Sequence, residues 1–146
     1  MAKTFSVEDG NLSSAVISST RLKVYSDIDL TFSVKPSGEI YKKTGSAAVK
    51  QSVMNLILTN FGEKPFNPEF GANLRALLFE LADEDAEEDI ERQILSAIES
   101  YEPRAEALHV QATAAPDRNE ITVNVTFRVV ATSEEVTLTK TLTRLR

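Results

Sequence analysis

Cysteine is absent from the sequence. Disulfides, thiolate nucleophiles and thiolate metal sites are therefore excluded, and the absence fits a reducing compartment. Histidine occurs once, as His109. A multi-histidine metal centre within one chain is excluded, and any Ser/His/Asp arrangement would have to use that residue. No apolar run approaches the ~18 residues that read as a transmembrane helix. Met1-Ala2-Lys3-Thr4-Phe5 opens into polar residues without the apolar stretch of a secretory signal. Basic residues are outnumbered: 16 Lys and Arg face 22 Asp and Glu, for a net charge of −6. That balance does not favour a phosphate backbone. The absences together predict an intracellular chain that binds neither nucleic acid nor membrane.

The sequence does hold a legible order of elements. At 146 residues the chain is long enough to bury about 68–70% of the surface its unfolded form would expose, so one core forms without staples. Residues 1–20 are rich in Ser and Asn and read as an N-terminal extension that docks against another subunit. Residues 21–146 read as a single α+β domain. From Ile28, apolar residues fall at Ile28, Leu30, Phe32 and Val34, the period of a half-buried strand. Pro36-Ser37-Gly38 breaks it as a turn. A helix then starts at Thr44-Gly45-Ser46, with Thr44 or Ser46 as its N-cap. Its stripe is Val49, Val53, Leu56, Ile57 and Phe61, and Gly62 is placed as a left-handed C-cap.

The connection Gly62-Glu63-Lys64-Pro65-Phe66-Asn67-Pro68-Glu69-Phe70-Gly71 holds two prolines and two glycines. It lacks the Gly-Lys-Ser/Thr of a phosphate loop, and no other cofactor fingerprint is present. Phe66 and Phe70 are expected to pack inward. A short helix follows over residues 72–80. The acid-rich run 83–89 suits the positive end of a helix dipole, so a third helix begins near Asp85. Its stripe is Ile90, Ile94, Ala97, Ile98 and Tyr101, and Pro103 stops it at Glu102. Three alternating runs come last: Leu108, Val110, Ala112, Ala114; then Ile121, Val123, Val125, Phe127, Val129; then Val136, Leu138 and Leu142, with Lys140 on the same parity. They predict a three-stranded antiparallel meander whose polar, Lys-bearing last strand is an edge. The fold class is α+β, three helices packed on a mainly antiparallel sheet.

Three groups of residues offer chemistry. Glu80, Asp83, Glu84, Glu87 and Glu88 could supply paired carboxylates for glycoside hydrolysis. The run is hydrophilic, however, and a general acid needs an apolar pocket to raise its pKa. His109 falls on the wetter parity of its strand, and no Gly-x-Ser-x-Gly elbow accompanies it. Glu102-Pro103-Arg104 sets a carboxylate and a planar guanidinium on either side of a rigid residue. Glutamate at a helix C-terminus opposes the dipole, which points to a partner that compensates it. Physical reasoning leaves two readings of this triplet, a helix stop with two surface charges or a contact site.

Several segments share an order and spacing with a known group. They are Tyr25-Ser26-Asp27-Ile28-Asp29-Leu30-Thr31-Phe32, Ala48-Val49-Lys50-Gln51-Ser52-Val53-Met54-Asn55-Leu56-Ile57-Leu58-Thr59, the Gly62–Gly71 connection, Leu78-Phe79-Glu80 and Tyr101-Glu102-Pro103-Arg104. Together they resemble the baseplate wedge family of contractile phage tails, related to type VI secretion baseplate components. The resemblance covers roughly residues 21–146. It implies a structural, non-catalytic protein without cofactors, placed in the virion's tail baseplate after assembly in the host cytoplasm. Its implied partners are other baseplate wedge subunits and the tail sheath protein. It also implies that the family's Glu-Pro-Arg hallmark falls on Glu102, Pro103 and Arg104. A sheath segment would then add to the last strand, at Val136, Leu138, Lys140 and Leu142, joining the baseplate to the first sheath ring and templating sheath growth. The family has carried a lysozyme label, for which Glu80 with Glu84 or Asp83 would be the catalytic pair. The same superfamily includes bacterial anti-adaptors, which bind without catalysis.

Overall fold

A computed structural model describes residues 25–78 and 86–143. Residues 1–20, proposed as an extension, and the carboxylates Glu80, Asp83 and Glu84 lie outside the described residues. Two short strands come first, β1 (Ser26–Ile28) and β2 (Lys42–Thr44), paired antiparallel. Three helices follow: α1 (Ser46–Leu58), α2 (Leu74–Leu77) and α3 (Ala86–Tyr101). The chain ends in β3 (Ala105–Ala115), a 3₁₀ turn (Pro116–Arg118), β4 (Glu120–Val129) and β5 (Glu134–Thr143). The last three strands form one antiparallel sheet in the order β3-β4-β5, so the α+β class and the C-terminal meander expected from the sequence are both present.

The alternation of β4 explains why the sheet has one buried face. Ile121, Val123, Val125, Phe127 and Val129 are all essentially buried, and β4 is central. α3 packs chiefly against β3, while α1 packs against α3 and β5. Their stripes (Val49, Val53, Leu56 and Ile57; Ile90, Ile94, Ala97 and Ile98) complete the core with the inner face of the sheet. Burying side chains of this size contributes about 1.5–3 kcal/mol each relative to exposure, so the helix–sheet interface is where the fold gains most.

Four local expectations fail, each for an identifiable reason. The strand read over Ile28 to Val34 ends at Ile28. Asp29 accepts a hydrogen bond from the Thr31 N–H (3.0 Å), an Asx turn that offers the backbone an alternative to the ladder. Phe32 then takes φ +53, and Leu30, Phe32 and Val34 are exposed. The first helix is capped by Gly45, at φ 60 and ψ −136 with no side-chain bond, a conformation reserved for glycine; neither Thr44 nor Ser46 caps it. That helix stops at Leu58, with Thr59 extended, so Phe61 leaves the stripe and Gly62 is no longer its cap. Phe66 is fully exposed in the left-handed region, at φ +64. Phe70 alone packs inward, 5.1 Å from the Tyr101 ring.

Gly71 fastens the connection. Any Cβ there would lie 2.3 Å from the Thr59 carbonyl oxygen, and its φ is +119. The close approach lets the Ala72 and Asn73 N–H groups donate to Leu56 and Thr59 (3.3 Å each), docking the loop back onto the end of α1. In β3 the register shifts by one residue between Ala107 and His109. This bulge changes the inward parity from Ala105 and Ala107 to Val110 and Ala112, and it leaves Leu108 exposed.

Candidate functional site: a buried ion pair and an open sheet edge

Pro103 separates α3 from β3 as expected, and Tyr101 is the last helical residue. The Glu102 N–H still donates to the Ile98 carbonyl at 2.9 Å. Glu102 is 4% exposed, unusual for a carboxylate. Arg104 meets it in a two-pronged pair, with Nε at 2.6 Å from Oε1 and Nη2 at 2.7 Å from Oε2. Ser52 Oγ of α1 donates to Oε2, and the Arg104 N–H donates to Oε1 at 3.4 Å. The guanidinium lies 5.5 Å from the centre of the Tyr25 ring. The Arg104 carbonyl accepts from the Val130 N–H at 3.0 Å, which ties the joint to the far end of β4.

Both charges are therefore satisfied within the fold. Burial pushes the Glu102 carboxyl up, but the hydrogen bonds from Arg104 and Ser52 and the nearby guanidinium charge outweigh it. The group is held below its ordinary value. The bond to Glu102 correspondingly raises Arg104, against its own partial burial. A general acid needs the opposite shift, so the geometry makes a charged clamp. The partner that the helix dipole required of Glu102 is Arg104, two residues away.

Among the described residues, the remaining candidates are dispersed. His109 is exposed and sits opposite Thr126. Glu88 is exposed, and Glu87 is turned to the β3 backbone. A groove of ≈430 Å³ beside α3 is lined, among the described residues, by one carboxylate, Glu69, with Phe61, Gln93 and Tyr101 among its walls.

The sheet has two edges of unlike character. On β3, the N–H groups of Ala112 and Ala114 point away from β4, donating to Glu91 Oε1 (2.8 Å) and Glu87 Oε1 (2.7 Å) of α3. In an antiparallel ladder, inward- and outward-bonding residues alternate. Ala112 and Ala114 face Val123 and Ile121, so those β4 residues bond toward β5, where they meet Lys140 and Leu142. Leu138, Lys140 and Leu142 thus bond to β4. Thr137, Thr139 and Thr141 aim their main-chain groups outward from the β5 edge. Lys50 Nζ, donating to the Thr137 carbonyl at 2.9 Å, shows that this carbonyl does point out.

The structure thus places Val136, Leu138, Lys140 and Leu142 on the inner, core-facing parity of β5, with Leu138 buried. Ser52, Tyr25 and Glu91 escaped the sequence reading as site residues, and Glu87 was read there only as a candidate for paired carboxylates. For the two glutamates the signal was there, as a four-residue spacing on one helix face.

Comparison with known proteins agrees with this architecture. The sequence model of the family described as "Baseplate wedge protein gp25" matches residues 43–134. The chain is 32% identical over 114 residues to the baseplate wedge protein gp25 of Enterobacteria phage T4, covering 78% of this chain and 86% of that protein. Two solved structures share the fold. One, from Geobacter sulfurreducens and provisionally described as a tail lysozyme, has a TM-score of 0.59 at 22% identity, covering 67% of this chain and 89% of that one. The other, a chain of the anti-feeding prophage baseplate, has a TM-score of 0.58 at 19% identity, covering 81% of this chain and 84% of that one.

Proposed function

Because the chain belongs to the baseplate wedge protein gp25 family, and so is a structural component of a contractile tail's baseplate, we propose that it links the baseplate to the first sheath ring by accepting a sheath strand on β5. The observation that carries this reading is the open edge. Thr137, Thr139 and Thr141 turn a row of main-chain donors and acceptors outward, and pairing at such an edge is a general docking mode. Val136, Leu138, Lys140 and Leu142 support that row from beneath, holding β5 on the core. Glu102, Pro103 and Arg104 set the angle at which the sheet leaves α3, and the exposed face of Pro103 with the open side of Arg104 meets other wedge subunits. The protein works by assembly, without catalysis, cofactor, nucleic acid or membrane, and joins its partners in the host cytoplasm.

Thr139→Pro tests the edge. The Thr139 N–H faces outward, so proline there removes no bond to β4, and edge strands tolerate it. The variant is expected to fold and enter baseplates while failing to nucleate sheath, as seen by electron microscopy of assembled tails. Full-length sheaths on baseplates carrying it would overturn strand addition at β5.

A further inference from the structure

The two edges of the sheet differ in one respect that the proposed strand addition does not require. Adjacent outward N–H groups of β3 are already occupied by carboxylates of α3. The geometry is a matching of repeats. Residues four apart on a helix advance about 6 Å along its axis. Residues two apart on a strand advance about 6.6 Å. A helix laid along a strand with glutamate at every fourth position therefore sets one carboxylate against each outward N–H. Here Glu87 meets Ala114 and Glu91 meets Ala112, the helix ascending as the strand descends. The next helical position in the series is Leu95, where the acceptors end.

We propose that Glu87 and Glu91 seal the β3 edge against strand addition, so that copies of this chain do not join β5 to β3 and a partner strand enters at β5 alone. A strand arriving at β3 must take the Ala112 and Ala114 donors from two charged acceptors, and its own carbonyls would approach those carboxylates. Charge-assisted bonds are roughly twice as strong as neutral ones, and charges along an edge are a recognised barrier to pairing. On β5, none of the outward N–H groups of Thr137, Thr139 and Thr141 meets a side-chain acceptor among the described residues. Lys50 there occupies a carbonyl. A sheet with both edges open has complementary surfaces on opposite sides, and such heterologous contacts propagate as open chains of molecules. The occupant excluded at β3 is thus a second copy of this protein, presenting its β5. The inference rests on the β5 reading for the identity of the joining edge, but its test is independent of sheath.

Sedimentation velocity on the full chain decides it, with circular dichroism confirming native fold. Glu87→Ala/Glu91→Ala is expected to strengthen self-association at least tenfold over wild type. Glu87→Gln/Glu91→Gln, which keeps an acceptor oxygen at each position but removes the charge, is expected to self-associate more than wild type and less than the alanine pair. Adding Thr139→Pro to the alanine pair is expected to restore wild-type behaviour by closing the other edge. A natively folded alanine pair that sediments as wild type would overturn the seal, since a purely stabilising role lowers the melting temperature without changing association. Association that persists with Thr139→Pro would overturn the β5-to-β3 joint. Should the alanine pair fail to fold, Glu87→Ala alone is read in the same way, because Glu87 is exposed in the first turn of α3. A rise in association supports the seal, and wild-type behaviour overturns it.

Discussion

Removing Arg104 should destabilise the protein by an amount that depends on pH. Arg104→Ala leaves Glu102, which is 4% exposed, with Ser52 and a weak backbone bond as its remaining partners. Breaking a buried ion pair from one side costs about 3–5 kcal/mol. Arg104 is itself 29% exposed, so about 3 kcal/mol at neutral pH, the low end of that range, is expected. For a chain of this size that corresponds to about 10 °C in melting temperature. In the wild type the Glu102 value is depressed, so its contribution is complete above the ordinary carboxyl value of 4.5. It is lost as pH falls through the folded value. In Arg104→Ala the depression goes while burial remains, and protonating Glu102 relieves the stranded charge. The gap between the two proteins should therefore start to shrink above pH 4.5, as the variant's buried carboxyl takes up its proton, and shrink further as the wild type falls through its own folded value. Urea denaturation followed by far-UV circular dichroism, repeated from neutral to acid pH, measures it. A gap that stays constant across that range would refute the electrostatic account of the clamp. Replacing both partners, as Glu102→Leu/Arg104→Met, should recover most of the loss, because no charge is left buried. Loss of assembly in Arg104→Ala must be separated from this loss of stability before it is assigned to a contact.

Two further outcomes follow from the Gly62–Gly71 connection. Gly71→Ala forces a Cβ against the Thr59 carbonyl and should cost about 1–3 kcal/mol, in the range of overpacked sites; thermal unfolding would show it, and an unchanged melting temperature would mean that the loop moves aside freely. Phe66→Ser should leave stability within about 0.5 kcal/mol, since the ring makes no buried contact; a larger drop would place Phe66 in the core.

What the sequence revealed follows from how each signal arises. The β4 alternation and the α3 stripe are set by burial on one face, and burial leaves its period in the residue pattern; both elements appear where that period places them. The errors lie where one residue redirects the chain. A single Asx turn at Asp29 ended a strand whose alternation over Ile28, Leu30, Phe32 and Val34 was regular. The β3 bulge moved Leu108 to the outside without any local mark such as glycine. Glu102-Pro103-Arg104 was legible as a helix stop and as a motif, but whether its two charges pair within the fold or across an interface was not. The helix bearing Ser52 is brought to it only by the tertiary fold. The β5 edge was legible from its threonines and Lys140, yet which of its residues bond outward depends on register. Register emerged from the Glu87 and Glu91 bonds on the far side of the sheet. It also showed that Leu138, buried in the core, is a poor position for probing the edge, and that Thr139 is a good one.

α1 makes three polar attachments from three consecutive residues. Lys50 reaches the Thr137 carbonyl on β5, Gln51 bonds the Ile28 carbonyl at 2.8 Å, and Ser52 donates to Glu102 at the joint. Successive residues on a helix project about 100° apart, so these tethers leave the same turn in three directions. Turning the helix about its axis would strain all of them at once. Sliding it would strain its attachments to the first strand, the last strand and the bend between α3 and the sheet together. α1 therefore couples β5, β1 and the Glu102 joint through a single turn of helix.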